Sequence, residues 1–202
     1  MATLKDRFQK WKETRSKWQK AGDIFFWLLL IMLIIPGPRK VVSTAVNKIS
    51  LNVRNPTITK PENQAQLSDT DYEWNLRDED GKVISFDSFR DDVVFLNFWA
   101  TWCPPCIAEL PEIESLYNKF GKDVVFLLVT NEDPDKVKAF MQKHDYDLPV
   151  YYSTAPPPII FSGRAIPSTF IISDDGRIVT KKTGAANWDS RATTRIFRDL
   201  LP

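Results

Sequence analysis

The sequence predicts an α/β domain, a mixed sheet flanked by helices and opening with a β-hairpin, carried behind an N-terminal membrane anchor. Three observations predict it. Strand-like and helix-like apolar patterns alternate from residue 72 to residue 201, a Cys-x-x-Cys pair stands where a strand gives way to a helix, and twelve consecutive apolar residues follow a basic leader. A chain of 202 residues, 43% hydrophobic, has room for one domain with a proper core plus appendages.

The leader comes first. Residues 1–22 carry seven Lys/Arg against two Asp/Glu, a net +5, while the other 180 residues are net −4. Leu4, Phe8, Trp11 and Trp18 recur at helical spacing among these cations, the pattern of a basic amphipathic helix suited to an anionic membrane surface, although a soluble helix with a charged face shares it. The apolar run Ile24–Ile35 follows, stopped by Pro36-Gly37-Pro38. Twelve residues in a helix cover about 18 Å of a hydrocarbon core near 30 Å, so a span has to draw in Ala21–Pro38, with Arg39 and Lys40 snorkelling to the far interface. A cleaved signal peptide fits the length of the run, but Pro36–Lys40 offers no small-x-small cleavage site, which favours an uncleaved signal anchor. The expected organisation is a cytoplasmic leader over 1–22, a transmembrane segment over 23–40, a juxtamembrane segment and linker over 41–67, and the catalytic domain over 68–202. The positive-inside rule sends everything after residue 40 across the membrane, into an oxidising compartment.

Within the domain, Tyr72–Leu76 and Val83–Phe86 flank the turn signal Asp80-Gly81 and are expected to form the hairpin. Val93–Trp99 is a near-continuous apolar run, the mark of a strand buried on both faces. From Pro104 to Phe120 the residues Ile107, Leu110, Ile113, Leu116 and Tyr117 recur at helical spacing up to the break at Gly121. Val124–Thr130 reads as a second buried strand, Asp133–Tyr146 as a second helix, and Pro149–Tyr152 as a third strand, giving βαβαβ. Thr169–Ser173 and Ile178–Thr183 flank Asp174-Asp175-Gly176-Arg177 as an antiparallel pair, and a last helix is expected over Ser190–Leu201.

Composition removes several function classes. The basic residues crowd into the leader and leave the body acidic, which argues against nucleic acid as a partner. Two cysteines three apart make no disulfide framework, and one histidine, His144, leaves too few ligands for a closed zinc site, so no metal is assigned. Ile107 follows the second cysteine where haem attachment needs His.

What remains is the chemistry of Cys103-Pro104-Pro105-Cys106. At a helix N-terminus the unpaired N–H groups and the dipole favour an anion, so the Cys103 thiol is expected to ionise more readily than a free thiol and to be the nucleophile. Cys106, three residues on, lies within disulfide reach and is placed to resolve a mixed disulfide at Cys103. Pro104 and Pro105 supply no N–H, leaving the Cys106 amide as the main backbone donor to the Cys103 sulfur; this modest stabilisation favours a reductant over a strong oxidant. The reading needs the Cys103 sulfur ionised near neutrality and reachable from solvent. Trp102 beside it reads either as core filling or as a shield that shapes a docking surface. Asn97, in an apolar strand, has to satisfy its amide by hydrogen bonds.

The stretch Asn97-Phe98-Trp99-Ala100-Thr101-Trp102-Cys103-Pro104-Pro105-Cys106 resembles the active site of the thioredoxin superfamily, and more closely that of the membrane-anchored TlpA/ResA-like oxidoreductases. The resemblance covers about residues 70–202 and includes Tyr72–Leu76, the helix proline Pro111 and Ile166-Pro167-Ser168-Thr169-Phe170. It implies a thioredoxin-like fold, a cis Ile166–Pro167 bond facing the cysteine pair, and a backbone there that pairs with an extended substrate segment. Asn97 departs from ordinary thioredoxins, which carry a buried Asp at that place. An amide takes up no proton, so proton handling for Cys106 falls to another group. Glu109, where the resembling family has an assisting glutamate, is the candidate, with a solvated carboxylate as the alternative.

The resemblance further implies protein thiols and disulfides as substrates, electrons from a membrane thiol-transfer donor, no cofactor beyond the Cys103–Cys106 disulfide, and a single-pass location in a bacterial inner membrane with the catalytic domain on the periplasmic side. Cytochrome c maturation and envelope redox homeostasis are the processes it points to. A soft-metal (copper) chaperone lacks an additional His or Met ligand, and a peroxiredoxin-like site lacks Thr three residues before the cysteine, where Ala100 stands.

Overall fold

The computed structural model describes residues 56–163 and 165–202, together with Phe26. Apart from Phe26, the leader, the anchor and the juxtamembrane segment expected over residues 1–54 lie outside the described residues. Among the described residues no helix is long and apolar enough to cross a membrane.

Seven strands form one mixed sheet: β1 Asn75–Arg77, β2 Val83–Ser85, β3 Val94–Phe98, β4 Val125–Thr130, β5 Val150–Ser153, β6 Ser168–Ile172 and β7 Ile178–Thr183, in the spatial order β2-β1-β5-β4-β3-β6-β7. The helices are α1 Asp69–Tyr72, α2 Pro104–Phe120, α3 Pro134–His144 and α4 Arg191–Leu200. β3, β4 and β5 are parallel neighbours, while β6, β7, β1 and β2 pair antiparallel. Because β3, β4 and β5 succeed one another in a single direction across the sheet, right-handed crossovers put α2 and α3 on the same face.

The continuous apolar strands are sorted by the period of two. Phe95, Phe126, Leu128 and Ile171 point to one core, where they meet Leu110, Ile113 and Leu116 of α2, Val137 and Met141 of α3, and Ile196 and Phe197 of α4. Val94, Leu96, Leu127, Val129, Phe170 and Ile172 point to the other, closed by Tyr72, Trp74, Phe86 and Phe161. That second face is thus covered by aromatics from α1 and from short 3-10 turns rather than by long helices.

Two details differ from the sequence reading. Tyr72 and Glu73, expected in the first strand, end a helical turn whose capping box joins Ser68 and Asp71, so β1 begins at Asn75. The stretch just before residue 68, expected to be linker, is tied to the domain: Thr59 N–H donates to Val179 O, Ile178 N–H to Ala65 O, and Leu67 N–H to Gly176 O. Gly176 sits at φ +80° in the β6–β7 turn, with the Tyr72 hydroxyl and Gln66 amide where a Cβ would be, so only glycine suits both its backbone and its neighbours.

Leu110, one turn after Cys106 on α2, is fully buried in the core. Leu110→Ala is expected to cost about 2–5 kcal/mol in urea unfolding, the range for a cavity left by a core leucine. A loss below about 1 kcal/mol would mean that α2 is not packed on β3 and β4 in this way.

Candidate active site

The chain turns from β3 into α2 through Trp99–Cys103, and Cys103 caps the helix in an extended conformation. Pro104 and Pro105 occupy its first turn, where the missing N–H groups are lost to no helical bond and the fixed φ suits the helix. Cys103 and Cys106 are joined as a disulfide with Cα atoms 5.3 Å apart, and the Cys106 amide lies 3.3 Å from Cys103 Sγ. The single backbone donor expected from the two prolines is therefore in place. In this oxidised form Cys103 is only 3% exposed and Cys106 is fully buried, so the open sulfur expected at position 103 is almost covered. Trp102, by contrast, is 66% exposed and is not core filling.

The Ile166–Pro167 peptide is cis, and its Ile166 carbonyl oxygen lies 3.8 Å from Cys103 Sγ. Trp102 and Ile166 then form one wall of a groove of about 760 Å³ that continues over Phe98, Trp99, Pro156 and Pro157. Trp102 and Ile166, both expected to meet a substrate, line this groove, and its Pro156–Pro157 side was not among the expected site residues.

Beneath the disulfide the polar residues are buried. Alternation along β3 turns Asn97 to the face that α2 covers, and the β3–β6 register sets Thr169 directly opposite it. Glu109, on the same helix face as Cys106, is fully buried rather than solvated. Its Oε1 accepts from Asn97 Nδ2 at 2.9 Å, and its Oε2 accepts from the Ala186 amide at 3.1 Å and the Trp188 indole at 3.0 Å. Burial raises its carboxyl to about 7 from the ordinary 4.5, against the opposing pull of the Trp188, Asn97 and Ala186 donors. Such a group exchanges a proton close to neutrality. Asn97 also donates to Thr169 Oγ1 at 2.8 Å, but its Oδ1 has no partner, so the full satisfaction expected of this amide is met at one end only.

Sequence reasoning missed Thr169, Trp188 and the Ala186 amide, and also a clamp on the cysteine loop. Thr101 donates both its N–H and its hydroxyl to the Glu132 carboxylate, which Lys136 also pairs. Burial pushes Glu132 up, but the bonds from Lys136 and Thr101 outweigh it and hold the carboxyl below its usual value. Among the described residues no group of three or more His, Cys, Asp or Glu is placed to hold a metal ion.

The profile of the Redoxin family matches residues 52–196, most of the chain and all of this site. The chain belongs to the Redoxin family. It is 34% identical over 112 residues to the thiol-disulfide oxidoreductase ResA of Bacillus cereus (strain ZK / E33L), an alignment covering 54% of this chain and 65% of that protein. The chain therefore spans just under two thirds of that relative's length. With ResA of Geobacillus thermodenitrificans it shares 30% identity over 121 residues, 58% of this chain and 70% of the relative. Among solved structures, the exposed lipoprotein thioredoxin Etrx1 of Streptococcus pneumoniae is 26% identical, with a TM-score of 0.51 over 63% of this chain and 98% of that one. The thioredoxin-like fold expected from the motifs is thus the fold of this Redoxin-family chain.

Proposed function

We propose that this Redoxin-family protein is a thiol-disulfide oxidoreductase that exchanges its Cys103–Cys106 pair with other proteins. The observation carrying the reading is the juxtaposition of that disulfide, at the start of α2, with the cis Ile166–Pro167 bond. In the reduced protein the Cys103 thiolate attacks a substrate disulfide, forms a mixed disulfide and releases one substrate thiolate, which takes a proton from water. Cys106 passes its thiol proton to Glu109, attacks Cys103 Sγ and expels the second substrate thiolate. Two electrons leave the dithiol and two reach the substrate. The backbone at Ile166 pairs with an extended substrate segment, and Trp102 docks it.

The net direction is reduction, consistent with the modest stabilisation of the Cys103 sulfur by one amide. The curated relatives carry the name thiol-disulfide oxidoreductase, which supports the class of reaction. The basic leader and apolar run support a single-pass inner-membrane anchor with this domain outside the cytoplasm, a membrane thiol-transfer donor as electron source, and a role in cytochrome c maturation or envelope redox homeostasis. No cofactor beyond the disulfide is needed.

Insulin reduction by the purified chain, followed by turbidity with dithiothreitol as donor, tests the reaction. Turnover well above the dithiothreitol background is expected. No turnover with tight Cu(I) binding would replace this reading by a soft-metal chaperone, and fast peroxide consumption would replace it by a peroxidase. Trp102→Ala is expected to leave unfolding within about 0.5 kcal/mol of the parent, since the side chain is exposed, and to raise KM for a protein substrate about tenfold. An unchanged KM would remove Trp102 from the docking surface.

A further inference from the structure

Asn97 donates from Nδ2 to both Glu109 Oε1 and Thr169 Oγ1, while its Oδ1 is sealed from solvent and meets no donor. A buried amide oxygen left bare is costly, and a leucine of similar shape would avoid the cost. Either orientation leaves one end of the amide on that partnerless side, so which end faces Glu109 and Thr169 is set by what those two groups offer it.

Half a turn about the Cβ–Cγ bond exchanges the two ends of the amide without moving the backbone. Oδ1 then faces the two oxygens that Nδ2 faced. Oxygen against oxygen at these distances needs a proton between them: neutral Glu109 brings one on Oε1, and Thr169 turns its own hydroxyl to bring the other. With Nδ2 inward the site fits the Glu109 carboxylate, and with Oδ1 inward it fits the carboxylic acid. Asp at this place has no N–H for the carboxylate, and an aliphatic residue serves neither form.

We infer that Asn97 is a positioning residue whose side-chain amide turns over when Glu109 gains or loses its proton, so that each protonation state keeps a partner and the change is passed to the Thr169 hydroxyl. This rests on the reading that Glu109 takes the Cys106 proton. The turnover itself moves no electrons, and the only proton transferred is that one. Thr169 lies two residues beyond Pro167 on β6, so the strand beside the cysteine loop registers whether Glu109 is charged.

Few other groups bear on the titration. From β3 the group facing Glu109 is Asn97, with the β6 hydroxyl of Thr169 behind it; from the stretch before α4 they are the Ala186 amide and the Trp188 indole. On α2 itself Cys106 precedes it by three residues and titrates only when the disulfide is open. No charged side chain contributes to the displacement of its proton affinity.

The test is an NMR titration of the reduced full-length chain in detergent, from pH 5 to 9, following the Asn97 side-chain NH2, its nuclear Overhauser effects to the Thr169 methyl, and the Glu109 carboxyl carbon. The Asn97 resonances are expected to move with the Glu109 midpoint, the effects to Thr169 being strong above it and lost below it, and to lose this pH dependence in Glu109→Gln. Asn97→Leu and Asn97→Asp are each expected to raise the Glu109 midpoint by about one pH unit or more, a tenfold gain in proton affinity, since both remove the donor to the carboxylate. Constant Asn97 signals across the Glu109 titration, or signals still moving in Glu109→Gln, overturn the inference. Insulin turnover with a fixed amide sinks this inference alone. A turning amide without insulin turnover upholds the amide mechanism and sinks the oxidoreductase reading.

Discussion

Cys103→Ser is expected to lower insulin reduction by roughly 10³-fold or more, the scale on which enzymes lose activity when their nucleophile is removed. The reason lies in the asymmetry of the pair. Cys103 caps α2 beside Ile166 and the groove, whereas Cys106 is wholly enclosed among Leu110, Ile113 and the β3 core. Attack on an external disulfide therefore belongs to position 103. Cys106→Ser is expected to behave differently: the first step survives and the second does not, so a covalent complex with the substrate accumulates and is visible by mass spectrometry under non-reducing conditions. Retention of more than a tenth of the activity in Cys103→Ser, or a trapped complex in that variant instead of in Cys106→Ser, would reverse the assignment of the two sulfurs.

Glu109→Gln carries the second large effect, on rate and on stability together. Loss of a proton acceptor for Cys106 is expected to slow resolution of the mixed disulfide roughly 10²-fold, read in stopped-flow single turnovers, and to flatten the rate against pH near 7. The stability effect follows from the same burial. Glu109 binds its proton at about 7 in the fold and at an ordinary 4.5 in the unfolded chain, so between these values the native state holds more protons. Its contribution to stability is then fully present below pH 4.5 and is lost as pH rises through 7, a change of about 3 kcal/mol at most for a gap of about 2.5 units. Urea unfolding of the parent is expected to show this decline on top of any slope from other groups. The glutamine variant is expected to lack it, having no charge to bury. Identical pH slopes in the two proteins, together with unchanged pH–rate profiles, would return Glu109 to a purely structural part.

Much of this was legible in the residues themselves. Val94–Phe98 and Val125–Thr130 are strands because runs of β-branched and aromatic residues have nowhere to go but a sheet buried on both faces. α2 begins at Pro104 and carries its apolar residues every three or four positions. Such signals are local, and so is the most specific one, a cysteine at the cap with its partner one turn on. The ties of the expected linker stretch were not legible, because they are backbone hydrogen bonds, donated by Thr59 and Leu67 to the β6–β7 hairpin and accepted by Ala65 from it, which leave no trace in side-chain pattern.

Residue types and spacing alone determined the order of strands and helices and the nucleophile's place at a helix N-terminus, while the candidacy of Glu109 came from the family resemblance of the motif around it. The tertiary structure alone decided that this carboxylate is sealed, that its donors come from Ala186 and Trp188 as well as Asn97, and that one oxygen of Asn97 is left bare. The physical reason is range. Helical and strand periods are properties of neighbouring residues, whereas the proton affinity of Glu109 depends on groups 77 and 79 residues away, brought beside it only when the segment after β7 folds back over α2.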